Sequence, residues 1–533
     1  MNQLDREEFR FFAGLYPHQV EGIAFLTRKG RAILGDDMGL GKTRQAIVAM
    51  EHAVPDGTVL VICPASLKLN WRREIRLVRP DAKVEVIGAK DGACDGPPRW
   101  VIVNYDLLAK HADRLRSVAW AGVVLDEAHF IKNTSGRTSH VMKLLGVSDN
   151  VRAPVIGPTQ VYLLTGTPMT NRPRDLYNLL RCVGHPSSRS FLSFAKRYCG
   201  AYRNDYGWVT DGASNLEELN ALMKEVMLRR RKDEVLDLPP KVRTWLEVEV
   251  DSAAAIEASA DFVSWFAERD PSRPNDKAFL GRLQKLRVAL HKAKHAAVAE
   301  RIRDVLATGQ KVIVFTAFTA GLRRHKAALG EACVTISGED GPEARIAAVD
   351  AFQTDPDVRV MVANLMAGGV GITLTAGSHV IFQDLDWVPA NLAQAEDRAY
   401  RIGQTNTVTV EYMLAAGTLD GIIADLLSAK IGLIEAVEAG APPNASILSE
   451  LEARLRVSGP ALLAELKAAH ATGDAAARIE TIAADVARIG TDAYCREGCA
   501  RIHLVPRARQ GLSRHVGPRR SPGMHLRGIP LAR

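Results

Sequence analysis

The segment Gly35-Asp-Asp-Met-Gly-Leu-Gly-Lys-Thr43 has the residue types and spacing of a phosphate cradle. Closely spaced glycines let backbone N–H groups turn toward a phosphate, and a following helix adds the positive end of its dipole. An apolar run from Ala32 precedes the segment, and a helical pattern from Thr43 to about Ala53 follows it. Asp37, Met38, Gly39, Leu40 and Gly41 would form the loop. Lys42 would reach the β- and γ-phosphates of ATP, and Thr43 would hold Mg2+. The general pattern G-x-x-x-x-G-K-T asks for glycine at position 36. Asp36 stands there, with Gly35 one place early.

Two further groups suit the same chemistry. Val123-Val-Leu-Asp-Glu-Ala-His129 is an apolar strand ending in adjacent acids, a DEAH box. Asp126 would coordinate Mg2+, and Glu127 would position and deprotonate the attacking water. Phosphoryl transfer depends on such placement more than on covalent chemistry. Far downstream, Gln394-Ala-Glu-Asp-Arg-Ala-Tyr-Arg-Ile-Gly-Gln404 carries Arg398 and Arg401. Three residues apart on a helix, they would share one face and act as arginine fingers from another lobe.

The elements needed to position these groups can be read from the hydrophobic pattern. Ala32 to Gly35, Val59 to Cys63, Trp100 to Val103, Val123 to Leu125 and Val161 to Leu164 are continuous apolar runs separated by helical patterns. Such runs indicate a parallel sheet covered on both faces. After a less regular stretch, from about Asn171 to Pro240, the alternation restarts at Lys311 to Phe315, Val358 to Ala363 and His379 to Phe382. The fold class is therefore α/β, with two similarly built lobes and a cleft between them. The divisions expected are lobe 1 over 1–240 with a helical protrusion near 171–240, lobe 2 over 241–435, a helical extension over 436–494, and a basic, disordered tail over 495–533.

At 533 residues the chain is too long for a single core. No apolar run reaches the length of a membrane span, and Met1 to Arg10 lacks the apolar stretch of a signal peptide. Seven scattered cysteines read as reduced thiols, which suggests a cytoplasmic protein. From Arg496 onward, nine arginines face one acid, so the tail supplies the whole net charge of +8. Such a tail suits non-specific nucleic-acid affinity, or simply a solvated end. Cys495, Cys499 and His503 have spacing that could begin a zinc site, without a convincing fourth ligand. Trp71 and Trp387 read as core or cleft packing.

Taken together, these motifs resemble those of the Swi/Snf family of helicase-related ATPases. Leu15-Tyr-Pro-His-Gln19 resembles the family's adenine-reading segment, which implies ATP contact at Gln19. Asp36 to Thr43 resembles its nucleotide loop, acid included. Cys63-Pro-Ala-Ser-Leu67 with Trp71, and Asn104 to Leu108, resemble its first-lobe strand-contacting motifs. Leu164-Thr-Gly-Thr-Pro-Met-Thr-Asn171 resembles its coupling motif, implying coupling roles for Thr165, Gly166 and Thr167, with His129 a switch between sites or a structural partner. Met227 to Val235 and Leu238 to Lys241 resemble the segment before lobe two. Ala367-Gly-Gly-Val-Gly-Ile-Thr-Leu-Thr375 completes the set, placing Gly371 at ATP and Gly368, Gly369 and Thr373 at DNA beside Ser66 and Lys68.

Phe194 to Cys199, Gly212 to Leu219 and Leu385 to Ala390 are similar to the annealing-helicase, or HepA-related-protein, branch. The resemblance implies RecA-like lobes, ATP with Mg2+ as cofactors, and a monomeric, DNA-stimulated ATPase that translocates on double-stranded or branched DNA. Fork remodelling or strand annealing would be its wider tasks, in a bacterial cell or a phage-infected host. A strand-separating helicase, an RNA-directed motor and a nucleic-acid-binding scaffold with an inactive ATPase are the alternatives. With little chain before Gln19, the N-terminal modules of larger members are expected to be missing.

Overall fold

A computed structural model describes residues 14–416 apart from 134, 148–156, 167–172, 206, 211, 251–252, 269–276, 366–371 and 387. It also describes 418–421, 423, 424, 427 and 501–503. The helical extension expected over 436–494, and Cys495 and Cys499, lie outside the described residues, as do Thr167, Gly368, Gly369, Gly371 and Trp387.

The first lobe is a seven-stranded parallel sheet. Its strands are β1 (Arg31–Leu34), β2 (Thr58–Cys63), β3 (Val84–Val86), β4 (Trp100–Asn104), β5 (Trp120–Asp126), β6 (Gln160–Leu164) and, beyond a separate hairpin of β7 (Tyr202–Asn204) and β8 (Gly207–Val209), β9 (Met227–Leu228). They run in the order β3-β4-β2-β5-β6-β1-β9. The sheet is apolar on both faces because helices cover both. Leu60 and Ile62 face one core with Leu125 and Leu163, while Val59 and Val61 face another with Ile47 and Trp71. The protrusion near 171–240 contains helices at Leu176–Cys182, Phe191–Tyr198 and Leu216–Val226, and also the two-stranded hairpin, which the hydrophobic pattern does not announce.

The second lobe repeats the plan with β10 (Lys241–Val248), β11 (Val312–Thr316), β12 (Cys333–Ile336), β13 (Val360–Asn364), β14 (His379–Phe382), β15 (Val408–Ala415) and β16 (Arg501–His503). The order is β12-β13-β11-β14-β15-β10-β16, again parallel. β16 comes from the stretch read as an unstructured tail. Its backbone finds partners at Trp245–Glu247, the edge that β10 would otherwise leave open.

Strand register positions the chemistry. Leu34 pairs with Leu164, and Leu164 pairs with Asp126. Three neighbouring strands therefore end level with one another. Gly35, Thr165 and the acidic pair emerge side by side at the carboxyl edge, where open α/β sheets bind ligands.

Candidate active site

The anomaly at position 36 has a structural reason. Asp36 is fully buried, and the Arg230 guanidinium grips it with two bonds, Nε to Oδ1 at 3.0 Å and Nη2 to Oδ2 at 2.6 Å. Gln45 Nε2 donates to the same carboxylate at 3.2 Å, and Arg230 also donates to the carbonyl of His18. Such a forked, charge-assisted pair is strong and directional. Gly35 serves a different need. β9 runs against it, and a Cβ there would lie 2.9 Å from Met227 Sδ. Glycine has moved one place because a strand crowds position 35, and the acid occupies position 36 because an arginine waits for it.

Ahead of the helix Lys42–Ala53, the loop turns on Gly39 (φ 87°) and Gly41 (φ 76°), conformations that suit glycine. Three side chains converge on the Leu40 carbonyl: His18 at 3.1 Å, Gln19 at 3.3 Å and Gln45 at 3.1 Å. A Cβ at Gly41 would collide with the Gln19 amide, so Gln19 sits directly against the loop. Lys42 Nζ donates to the carbonyls of Asp36 at 2.6 Å and Asp37 at 3.1 Å. Burial lowers the Lys42 pKa, against the carboxylates of Glu127, Asp36, Asp126 and Asp37. Thr43 follows in the first turn of the helix.

Asp126 is held from three directions. The Trp71 indole N–H donates to Oδ2 at 2.7 Å, the Glu127 N–H to Oδ1 at 3.0 Å, and the Tyr105 hydroxyl to its carbonyl at 2.9 Å. Trp71 packs in the core, as expected, and in addition orients this carboxylate, a role its residue type alone does not reveal. Burial and the Glu127 charge raise Asp126 to about 6. Burial also works to raise Glu127, but the contact with His129 and the charges of His129, Lys42 and Arg398 hold it below the ordinary carboxylate value. His129 Nδ1 lies 3.3 Å from Glu127 Oε2. Glu127 itself sits at φ 50°, ψ 53°, an uncommon backbone for a residue with a side chain. Thr165 is fully buried, and its N–H donates to Leu34 at 3.2 Å. A Cβ at Gly166 would lie 2.8 Å from Met38 Cγ and 3.5 Å from Lys42 Nζ, so this segment touches the phosphate loop.

The two arginines arrive from the second lobe, but not on a helix face. The helix ends at Glu396, and Arg398 and Arg401 lie in the irregular turn after it. They point together because both donate to one carbonyl, Ile372, at 3.4 Å and 3.0 Å. Gln404 pins the turn by donating to Thr375, Gly377 and Ala399. A Cβ at Gly39 would lie 2.8 Å from Arg401 Cβ, so the turn rests on the phosphate loop. Arg398 is near enough to feel the charges of Glu127 and Asp126. Burial and Arg401 lower it to about 10, so it stays cationic at neutral pH.

Lys232 bridges the lobes. Its N–H donates to Asp37 Oδ2 at 3.1 Å. Its ammonium pairs with Asp397, donates to the Tyr400 carbonyl at 2.9 Å and lies 5.3 Å from the Tyr400 ring centre. Arg230 and Lys232 belong to a stretch matched by pattern, but nothing in the sequence reveals which acids they meet. Among the residues assigned to DNA, Ser66 is half-buried in the short helix Ala65–Leu67, and Thr373 is half-buried beside Ile372. Lys68 is turned inward, and its ammonium donates to the Ile87 carbonyl at 2.9 Å.

The chain matches the SNF2-related domain over residues 18–256 and the helicase conserved C-terminal domain over 297–403. It is 35% identical over 450 residues to the DNA annealing helicase and endonuclease ZRANB3 of Homo sapiens, covering 80% of this chain and 41% of that protein. It is 33% identical over 442 residues to the SWI/SNF-related matrix-associated actin-dependent regulator of chromatin subfamily A-like protein 1 homolog of Caenorhabditis elegans, covering 79% and 61%. The solved Sulfolobus solfataricus SWI2/SNF2 ATPase core in complex with dsDNA aligns over 84% of this chain and 96% of its own, at 26% identity and a TM-score of 0.38. The chain thus spans less than two thirds of the length of the curated relatives it matches.

Two outcomes follow from the geometry. Removing one partner of a buried pair leaves an uncompensated charge, at a cost of about 3–5 kcal/mol. Arg230→Met should therefore lower the thermal unfolding midpoint sharply, and adding Asp36→Asn should recover part of the loss. A double variant no better than the single would mean that the pair is not coupled. Across the lobes, Lys232→Asp and Asp397→Lys should each reduce ATP turnover by roughly tenfold or more, since small misplacements of reacting groups are expensive. Combining the two should restore turnover in part, because the charges then meet in reverse.

Proposed function

This chain belongs to the Swi/Snf family of helicase-related ATPases, and on that premise we propose that it is a DNA-stimulated ATP hydrolase that translocates along double-stranded DNA. Remodelling of branched DNA or of DNA–protein complexes, with strand annealing among its outcomes, is the wider activity this reading includes. The observation that carries it is the composite site. Lys42, Asp126 and Glu127 of the first lobe face Arg398 and Arg401 of the second, and Arg401 rests on Gly39 of the phosphate loop.

Each group has a task that its surroundings support. The loop N–H groups and Lys42 bind the ATP phosphates, with the helix N-terminus behind them. Gln19, beside Leu40, would read the base. The hard oxygen donors of Thr43 and Asp126 fit Mg2+, and both Asp126 oxygens retain lone pairs beyond the bonds they accept. When bound, the ion neutralises charge on the phosphates. Glu127, kept ionised by His129, Lys42 and Arg398, takes the proton from the attacking water.

The arginines touch the γ-phosphate only when the lobes are closed, so they stabilise the transition state more than bound ATP. Opening after hydrolysis releases that grip, and alternation between the two states moves the motor along the phosphate backbone. Cytoplasmic residence, in a bacterium or a phage-infected host, is part of this proposal. It is supported by free thiols at Cys63, Cys94, Cys182, Cys199 and Cys333.

The test is ATP turnover by the purified chain, alone and with duplex DNA, single-stranded DNA or RNA. Duplex DNA should stimulate most, and Glu127→Gln should still bind ATP while hydrolysis stops. Turnover that ignores DNA, or that survives in Glu127→Gln, would contradict the proposal.

A further inference from the structure

The hairpin of β7 and β8 belongs to neither large sheet. Tyr202 stands opposite Val209, Arg203 opposite Trp208 and Asn204 opposite Gly207. Side chains alternate between the faces of a strand, and directly paired residues share a face. Trp208 and Arg203 therefore occupy one side, and Tyr202 and Val209 the other. Tyr202 is 59% exposed and Trp208 44%. Lys196, from the adjoining helix Phe191–Tyr198, holds its ammonium 4.9 Å from the centre of the Trp208 ring.

A two-stranded hairpin is marginal in water by itself, so its aromatic residues would ordinarily be buried for stability. Here both sit in solvent while the base is anchored by other means. Arg174 Nη1 donates to the Thr210 hydroxyl at 3.2 Å. Ser214 N–H donates to the Tyr198 carbonyl at 2.9 Å, and the Gly200 N–H to Ser214 Oγ at 3.0 Å. Arg174 lies in Pro173–Asp175, directly before the helix Leu176–Cys182, whose Asn178 amide donates to the carbonyls of Ile131 and Lys132, just beyond the acidic pair. The hairpin is thus fixed to the lobe near the carboxyl edge of the sheet, with an aromatic ring on each face, the Lys196 ammonium over one side of the Trp208 ring and Arg203 paired across the strands from it.

We propose that this hairpin is a stacking platform for the unpaired bases of a DNA strand. Tyr202 and Trp208 take bases on its two faces, and Lys196 and Arg203 meet the neighbouring phosphates. Every base has a π-face, so such a platform tolerates any sequence, and the Lys196 and Arg203 charges on the Trp208 side fit a polyanion. The inference rests on the reading of the chain as a DNA motor and deepens it. What it adds is the element that would meet unpaired bases where a duplex ends.

The experiment uses the full chain and its Tyr202→Ala, Trp208→Ala, Trp208→Phe and double alanine variants. Binding to a single-stranded thymidine oligonucleotide and to a fork with unpaired arms is measured beside turnover stimulated by blunt duplex. Each alanine should weaken oligonucleotide and fork binding by about fivefold or more, Trp208→Phe should retain most of it, and blunt-duplex turnover should be unchanged. Unaltered fork and oligonucleotide binding in the double variant would overturn the proposal. So would an equal loss of blunt-duplex turnover, since the aromatics would then be structural. If the wild type hydrolysed no ATP with any DNA, the motor reading would fail instead. The oligonucleotide measurement would still decide the hairpin's role.

Discussion

The site depends on one buried ion pair, Asp36 with Arg230, formed by residues 194 positions apart. An unpaired carboxylate at the root of a phosphate loop would be costly to bury and would repel the anion the loop must hold. The guanidinium cancels that charge and, being planar and forked, also sets the direction of the chain that carries it. From Arg230 the backbone passes to Lys232, whose N–H meets Asp37 and whose ammonium meets Asp397 in the other lobe. A short segment therefore grips the loop on one side and the arginine turn on the other. A displacement of either should reach its partner through that segment.

The second lobe supports the same junction from behind. Glu396, the last residue of the helix before the arginine turn, is buried and held to about 2. Burial alone would raise it. Lys241 at 2.7 Å and Arg243 at 2.8 Å overcome that, and the Tyr412 hydroxyl adds a 2.5 Å bond. Lys241 and Arg243 lie on β10, and Tyr412 on β15, the strand paired with it. The turn that presents the arginines is thus tied to the sheet of its own lobe by Glu396 and to the first lobe by Asp397. Adjacent carboxylates face opposite ways across the boundary.

Much of this was legible in the sequence, and what escaped has a common cause. Continuous apolar runs such as Val59–Cys63 and Val312–Phe315 mark central parallel strands, because burial on both faces leaves no alternation to confuse them. β3, β9 and β12 are short or edge strands, and β10 opens with the polar Lys241-Val-Arg-Thr, so no apolar run marks them. The glycine loop and the acidic pair are local patterns, readable because a few neighbouring residues define them. The partner of Asp36, the donor from Trp71 and the shared acceptor of Arg398 and Arg401 are contacts between distant segments, which no local spacing encodes. The helical spacing of the arginines suggested one face of a helix. The chain instead leaves the helix at Glu396 and aims both side chains through the Ile372 carbonyl. Lys68, which the resemblance assigns to DNA, turns its ammonium to Ile87, because the carbonyl there satisfies a charge that burial would otherwise penalise.

All of this implies that hydrolysis requires both lobes while nucleotide capture requires mainly one. Arg401→Ala separates the two. ATP affinity and DNA-stimulated turnover are measured on the same preparation. Affinity should fall little, while turnover should drop on the order of a thousandfold, the scale of a lost arginine finger. Turnover close to that of the unaltered protein would contradict a site shared between the lobes.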